Sequence, residues 1–73
     1  MRFERVTIDP GVATGQPCVR NLRFPVSRLL GLLAAGESRE SVLRNYPYLE
    51  SADIDEILRY AACLARRDSR LAR

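Results

Sequence analysis

Histidine, lysine and tryptophan are absent from this chain, methionine occurs once and cysteine twice. Without histidine or lysine, Ser27, Ser38, Ser41, Ser51, Ser69, Cys18 and Cys63 lack an obvious activating base. A tyrosine or carboxylate substitute would need a pocket that 73 residues can hardly enclose, so catalysis is not expected. Two cysteines 45 positions apart, with no histidine, fit neither a zinc site nor a disulfide framework; both read as small, reduced residues in or near the core, and no metal or cofactor is expected. No apolar run approaches the ~20 residues of a membrane span, and Met1-Arg2-Phe3-Glu4-Arg5 lacks the apolar stretch of a signal peptide. The expectation is a cytoplasmic protein without membrane contact. At this length a single core is only marginally sufficient, and oligomerisation is the cheapest further source of stability.

All 12 basic residues are arginine. The planar guanidinium suits phosphate and carboxylate, but a GC-rich genome yields the same bias without selection for binding. The charge is unevenly placed: residues 1–36 carry +3, residues 37–58 carry −4 and residues 59–73 carry +4. That order suits a partner that contacts both ends.

Three prolines and two glycines fall between Asp9 and Val26, directly ahead of a leucine-rich segment. Such spacing specifies a stiff, turn-dense path. Arg5-Val6-Thr7-Ile8 alternates and is β-branched, which predicts a strand closed by the turn Asp9-Pro10-Gly11. Val19 to Phe24 repeats the pattern between Pro17 and Pro25, with a tight turn at Asn21 and Leu22 exposed at the tip. Helix 1 is expected over Val26–Ala35, with Val26, Leu29, Leu30 and Leu33 on one side, Gly36 ending it, and Gly31 tolerated through close packing. Helix 2 is capped by Ser38, carries Val42, Leu43 and Tyr46, and stops at Pro47. Helix 3 starts at Glu50 or Ser51 with Asp53, Asp55 and Glu56 in its first turns, and buries Ile54, Ile57, Leu58, Ala61, Leu64 and Ala65. The fold class expected is a mostly α, three-helix, helix-turn-helix-like (winged-helix or homeodomain-like) single domain. Residues 1–25 form a small N-terminal β arm, 26–65 the three-helix body and 66–73 a basic C-terminal tail.

The run Ile8-Asp9-Pro10-Gly11, Gly15, Pro17, Val19-Arg20, Arg23, Pro25-Val26, then Leu32-Leu33-Ala34-Ala35-Gly36, Tyr46-Pro47, Leu49, Asp53-Ile54 and Leu58, Tyr60-Ala61-Ala62 resembles the bacterial domain-of-unknown-function family 433 over roughly residues 5 to 65. Where that family usually shows Gly-Thr, this chain has Asn21-Leu22. The resemblance implies a helix-turn-helix-like body and the role of antitoxin in a type II toxin–antitoxin pair, binding and inhibiting a PIN-like ribonuclease toxin, with binding of operator DNA for autoregulation as a further expectation. The competing expectation is a protein-interaction module with no nucleic-acid role.

Candidate residues divide by partner. A helix-turn-helix protein reads DNA with the start of its last helix, where this chain offers Asp53, Asp55 and Glu56, which would repel phosphate. Arg59 is the plausible contact on that helix, and Arg44 on helix 2 is a second. The basic arm, with Arg20, Arg23 and Arg28 beside Arg2 and Arg5, is the preferred DNA surface; otherwise these arginines solvate the surface and pair with Glu4 and Asp9. A magnesium site at Asp53, Asp55 and Glu56 is disfavoured by their helical spacing, and Gly11–Gly15 lacks the Lys-Ser/Thr of a phosphate loop. For the toxin, Arg66, Arg67, Arg70 and Arg73 are the candidates, Arg59, Arg66, Arg70 and Arg73 forming one stripe on a continued helix that could pair with metal-holding carboxylates; the alternative is a frayed, solubilising end. A homodimer is expected through Val6, Ile8, Leu22 and Phe24 of the arm.

Overall fold

The computed structural model describes residues 3–67. In chain order it comprises β1 (Val6–Thr7), a 3-10 turn (Ala13–Gly15), β2 (Cys18–Val19), α1 (Val26–Ala34), α2 (Arg39–Asn45) and α3 (Ser51–Arg67). It is mostly helical, with three helices and a two-stranded antiparallel sheet. Val6 pairs with Val19 and Thr7 with Cys18. The second strand is shorter than the expected Val19–Phe24, because the chain reverses at once: Arg20, Asn21 and Arg23 have φ of 45°, 63° and 58°. Asn21 tolerates that region, whereas two arginines there are strained. The reversal is closed by Leu22 N–H to the Val19 carbonyl (2.8 Å) and Val19 N–H to the Phe24 carbonyl (2.9 Å). The Thr7 hydroxyl accepts from Asn21 N–H at 3.0 Å, so β1 holds the turn as well as the strand.

Leu22 is not an exposed tip. The reversal folds it back until it is half-buried against the core. That core joins Val19 and Phe24 of the arm to Val26 and Leu29 of α1, Val42 of α2, Leu49 of the connector and Ile54 and Ile57 of α3. Cys18 is buried and Cys63 half-buried, both as free thiols. On α3 the expected apolar face is covered only in part: Leu58 and Leu64 are 42% and 38% exposed, and Ala65 is exposed. The 17-residue α3 is about 25 Å long; on its C-terminal half Tyr60 packs on Phe3 and Ala61 and Cys63 are half-buried, while Leu64, Ala65 and Arg66 are exposed.

Each helix end has a local cause. Gly36, at φ 97°, terminates α1: its N–H bonds to the Leu33 carbonyl and the Glu37 N–H to that of Leu32. The Ser38 hydroxyl accepts from Ser41 N–H at 3.0 Å to start α2. The start of α3 is capped from within, Asp53 Oδ2 accepting from Glu50 N–H at 2.8 Å.

That same Asp53 is fully buried and anchors the arm. Continuing the register places Arg5 opposite Arg20, whose N–H bonds to the Arg5 carbonyl at 2.9 Å. Like charges directly opposed on a sheet repel. Asp53 resolves this: Arg20 grips it with both prongs, Nε to Oδ1 at 2.8 Å and Nη2 to Oδ2 at 2.9 Å, and Arg5 Nη1 donates to Oδ1 at 2.8 Å. Arg5 also reaches exposed Glu50 at 2.8 Å, its N–H donates to the Glu56 carboxylate, and Arg20 Nη2 donates to the Tyr48 carbonyl at 3.0 Å. Burial alone would raise the Asp53 pKa; the hydrogen bonds from Arg20, Arg5 and the Glu50 N–H outweigh it and hold the carboxyl at about 2, against an ordinary 3.8. Bonding to Asp53, and for Arg5 next to Glu50, pushes both guanidinium pKa values upward.

Two stability predictions result. Asp53→Asn removes charged acceptors from Arg5 and Arg20, whose side chains are about 30% exposed, and should destabilise by about 2–3 kcal/mol, whereas Glu50→Gln should cost under about 1 kcal/mol because that pair is exposed; urea titration separates them. The folded pKa of Asp53 lies below its unfolded value, so its contribution is complete above about pH 4 and lost as pH falls through about 2. The loss is about 2 kcal/mol, read as a falling urea midpoint across that window. Gly31 gives a change of opposite sign. It is exposed, and a Cβ built on it meets nothing within 4 Å, so close packing does not explain it. Gly31→Ala should therefore stabilise by roughly 0.5–1 kcal/mol and raise the melting temperature by several degrees.

Candidate functional site

The clamp changes which charges face outward. Arg5 and Arg20 pair with Asp53 and Glu50 rather than with Glu4 and Asp9. Asp9 instead accepts from Gly11 N–H at 2.9 Å, closing its own turn. Arg39 pairs with Asp55 at 2.9 Å and donates to the Ser51 carbonyl and hydroxyl. Asp53, Asp55 and Glu56 therefore all have internal partners, and the start of α3 is not the bare acidic end that the linear charge pattern implies.

Of the four residues expected at DNA, Arg20 sits inside the clamp, with Nε and Nη2 engaged. Arg23, Arg28 and Arg59 are exposed. Among the described residues, Arg23, Arg28, Arg44, Arg59 and Arg66 make no ion pair. They fall into two groups. Arg59 and Arg66 share the outward side of α3 with Leu58 and Ala62, all exposed. Arg28 lies on an aromatic cluster formed by the arm, the end of α2 and the connector. Its Cζ stands 5.3 Å from the Phe24 ring centroid and 5.5 Å from that of Tyr46, and its Nη2 donates to Tyr46 Oη at 3.2 Å. Phe24, Tyr46 and Tyr48 meet edge to face, with centroids 5.1 to 6.4 Å apart. Tyr48 is 51% exposed.

Of the residues expected at the toxin, Arg66 is exposed on α3, Arg67 is the last described residue of that helix, and Arg70 and Arg73 lie outside the described residues. Of those expected at a dimer interface, Phe24 is buried in the protomer's own core, Val6 and Leu22 are half-buried against it, and Ile8 is 65% exposed. Tyr46 and Tyr48 were not singled out by the sequence pattern, where Tyr46 reads as a helix-2 apolar residue and Tyr48 as connector. The signal available was local: a Tyr-Pro-Tyr step two residues after an arginine.

Comparison with known proteins places this arrangement. The family model described as "Protein of unknown function (DUF433)" matches residues 6–61. A crystal structure of a DUF433 member from Anabaena variabilis is 31% identical, with a TM-score of 0.80, over 96% of this chain and 70% of that one. No curated protein matches this chain. The matched span holds both strands, α1, α2 and the first turns of α3, and with them every group of the Asp53 clamp except Arg5. The chain belongs to the DUF433 family.

Proposed function

We propose that this protein is the antitoxin of a type II toxin–antitoxin pair, that it binds and inhibits a PIN-like ribonuclease, and that it also contacts operator DNA as a homodimer. The observation that carries the inhibitory part is the outward side of α3, where Leu58, Arg59, Ala62 and Arg66 are exposed together. Such a helix is shaped for a cleft, its apolar positions supplying contact and its arginines direction. A guanidinium fork matches clustered carboxylates of the kind that hold metal in a nuclease. Inhibition then consists of occupying that acidic site, which needs no chemistry from the antitoxin itself.

A reading without nucleic acid is favoured by one observation, the diversion of Arg5, Arg20 and Arg39 into internal pairs, which leaves fewer cations for a polyanion. For the dimer, Ile8, Leu58 and Leu64 are the exposed large apolar side chains that a single chain offers outside the aromatic cluster among the described residues.

The test is an RNA-cleavage assay with the nuclease encoded by the neighbouring reading frame, at matched stoichiometry. Arg59→Gln combined with Arg66→Gln should abolish inhibition while the circular dichroism melt is unchanged, since both side chains are exposed. Deletion of residues 66–73 should reduce inhibition and leave a folded protein; full inhibition by both variants would reject α3 and the tail as the inhibitory surface. Light scattering after gel filtration should give twice the chain mass, and a monomer at tens of micromolar would reject the dimer, because modest interfaces already associate at about that range.

A further inference from the structure

Arg28 has one acceptor, Tyr46 Oη, and no carboxylate partner among the described residues. The faces of Phe24 and Tyr46 hold its guanidinium in place, and one N–H is spent on Tyr46 Oη. Its remaining N–H groups meet no acceptor among the described residues. Having accepted from Arg28, the Tyr46 hydroxyl keeps its own proton to donate. Two neighbouring donors, one charged and one neutral, therefore lie side by side at the edge of a rigid aromatic cluster. Pinning an arginine over two rings removes the rotamer freedom it would otherwise lose on binding an anion.

Arg23, next to Phe24 in the chain, and Arg44, in the last turn of α2, are exposed and without an ion pair among the described residues. Tyr48, half-exposed, adds a flat apolar ring whose backbone carbonyl is fixed by Arg20. An acidic peptide would present isolated carboxylates to this surface. A duplex backbone presents closely spaced phosphates, and each unpaired arginine can meet one.

We propose that Arg28 and the Tyr46 hydroxyl together hold one backbone phosphate of duplex DNA, with Arg23 and Arg44 meeting neighbouring phosphates and Tyr48 packing on the adjoining sugar. This rests on the nucleic-acid part of the preceding reading and narrows the basic surface expected from the sequence to Arg28 and the Tyr46 hydroxyl, Arg20 being held by Asp53. Phosphate contacts carry orientation rather than sequence, so this surface sets how the protein sits on DNA and leaves base reading to other groups.

Fluorescence anisotropy of the full chain with a labelled mixed-sequence duplex, repeated over a range of salt, tests the assignment. Arg28→Gln should weaken binding roughly tenfold and lower the slope of log affinity against log salt by about one. Tyr46→Phe keeps the ring and removes only the hydroxyl; it should weaken binding by between about twofold and tenfold and leave the slope nearly unchanged. Arg66→Gln, on the other surface, should leave duplex affinity as it was. Wild-type binding with unchanged affinity in both Arg28→Gln and Tyr46→Phe would overturn the site while leaving DNA binding in place. Absence of duplex binding by the wild-type chain would overturn the site and the nucleic-acid reading together, leaving toxin inhibition standing. Loss of toxin inhibition with DNA affinity intact would assign the cluster to a protein partner and overturn the proposal.

Discussion

One buried carboxylate, Asp53, settles how the β arm meets the helical body. A two-residue ladder has almost no stability of its own, and the register of this one sets two arginines across from each other. Asp53 lies between them and takes three guanidinium N–H bonds while its second oxygen also caps α3. The same side chain thus starts a helix, neutralises a strand pair and closes the arm onto the body. Its position explains why Arg20 tolerates a left-handed backbone: the strain, of order 1–3 kcal/mol, is offset by a bidentate bond inside a desolvated site. Through Arg20 Nη2 and the Tyr48 carbonyl it also fixes the α2–α3 connector, and so the aromatic cluster beside it.

Internal pairing redistributes charge in a way that linear counting misses. The acidic middle segment is met by Arg5 and Arg20 from the first segment and Arg39 from its own. Arginines left without an ion pair among the described residues include Arg28 beside the Phe24 and Tyr46 rings and Arg59 and Arg66 on the outer side of α3, and the acids Glu4, Asp9, Glu37 and Glu40 are left without one as well. Two basic surfaces on different elements allow two acidic partners at once, which a single continuous patch would not.

Local signals in the chain were enough to read the helices. Ser38, Gly36 and Pro47 act within a few residues of themselves, and the starts of α1, α2 and α3 fall where caps, periodicity and breakers place them. Left-handed Asn21 was legible for the same reason. The partners of Arg5 and Arg20 were not, because they lie 48 and 33 residues away and depend on a register that no local pattern encodes. Periodicity also overstates burial on α3: Leu58 and Leu64 keep the helical spacing of a core face, but coverage depends on the length of α1 and α2 opposite them. Leu22 fails in the other direction. A hairpin-tip residue reads as exposed only if the turn points outward, and the run of positive φ values at Arg20, Asn21 and Arg23 turns it inward.

The aromatic cluster was missed for a related reason: an arginine's role is decided by what sits under it. Arg20 and Arg28 carry the same charge and have the same expected role from the sequence, yet one is closed onto a carboxylate and the other lies open beside two rings. Pairing with a carboxylate cancels charge and buries donors. Stacking on an aromatic face leaves the charge uncancelled and the edge donors free, because the ring offers a quadrupole and no acceptor oxygen. Stacking therefore orders a cation without neutralising it, and order without neutralisation is what an anion-binding position requires. Lysine in place of Arg28 would retain the charge but lose the fork that lets one guanidinium donate to Tyr46 Oη and to an anion at once, so the arginine is explained by the site and not by charge alone.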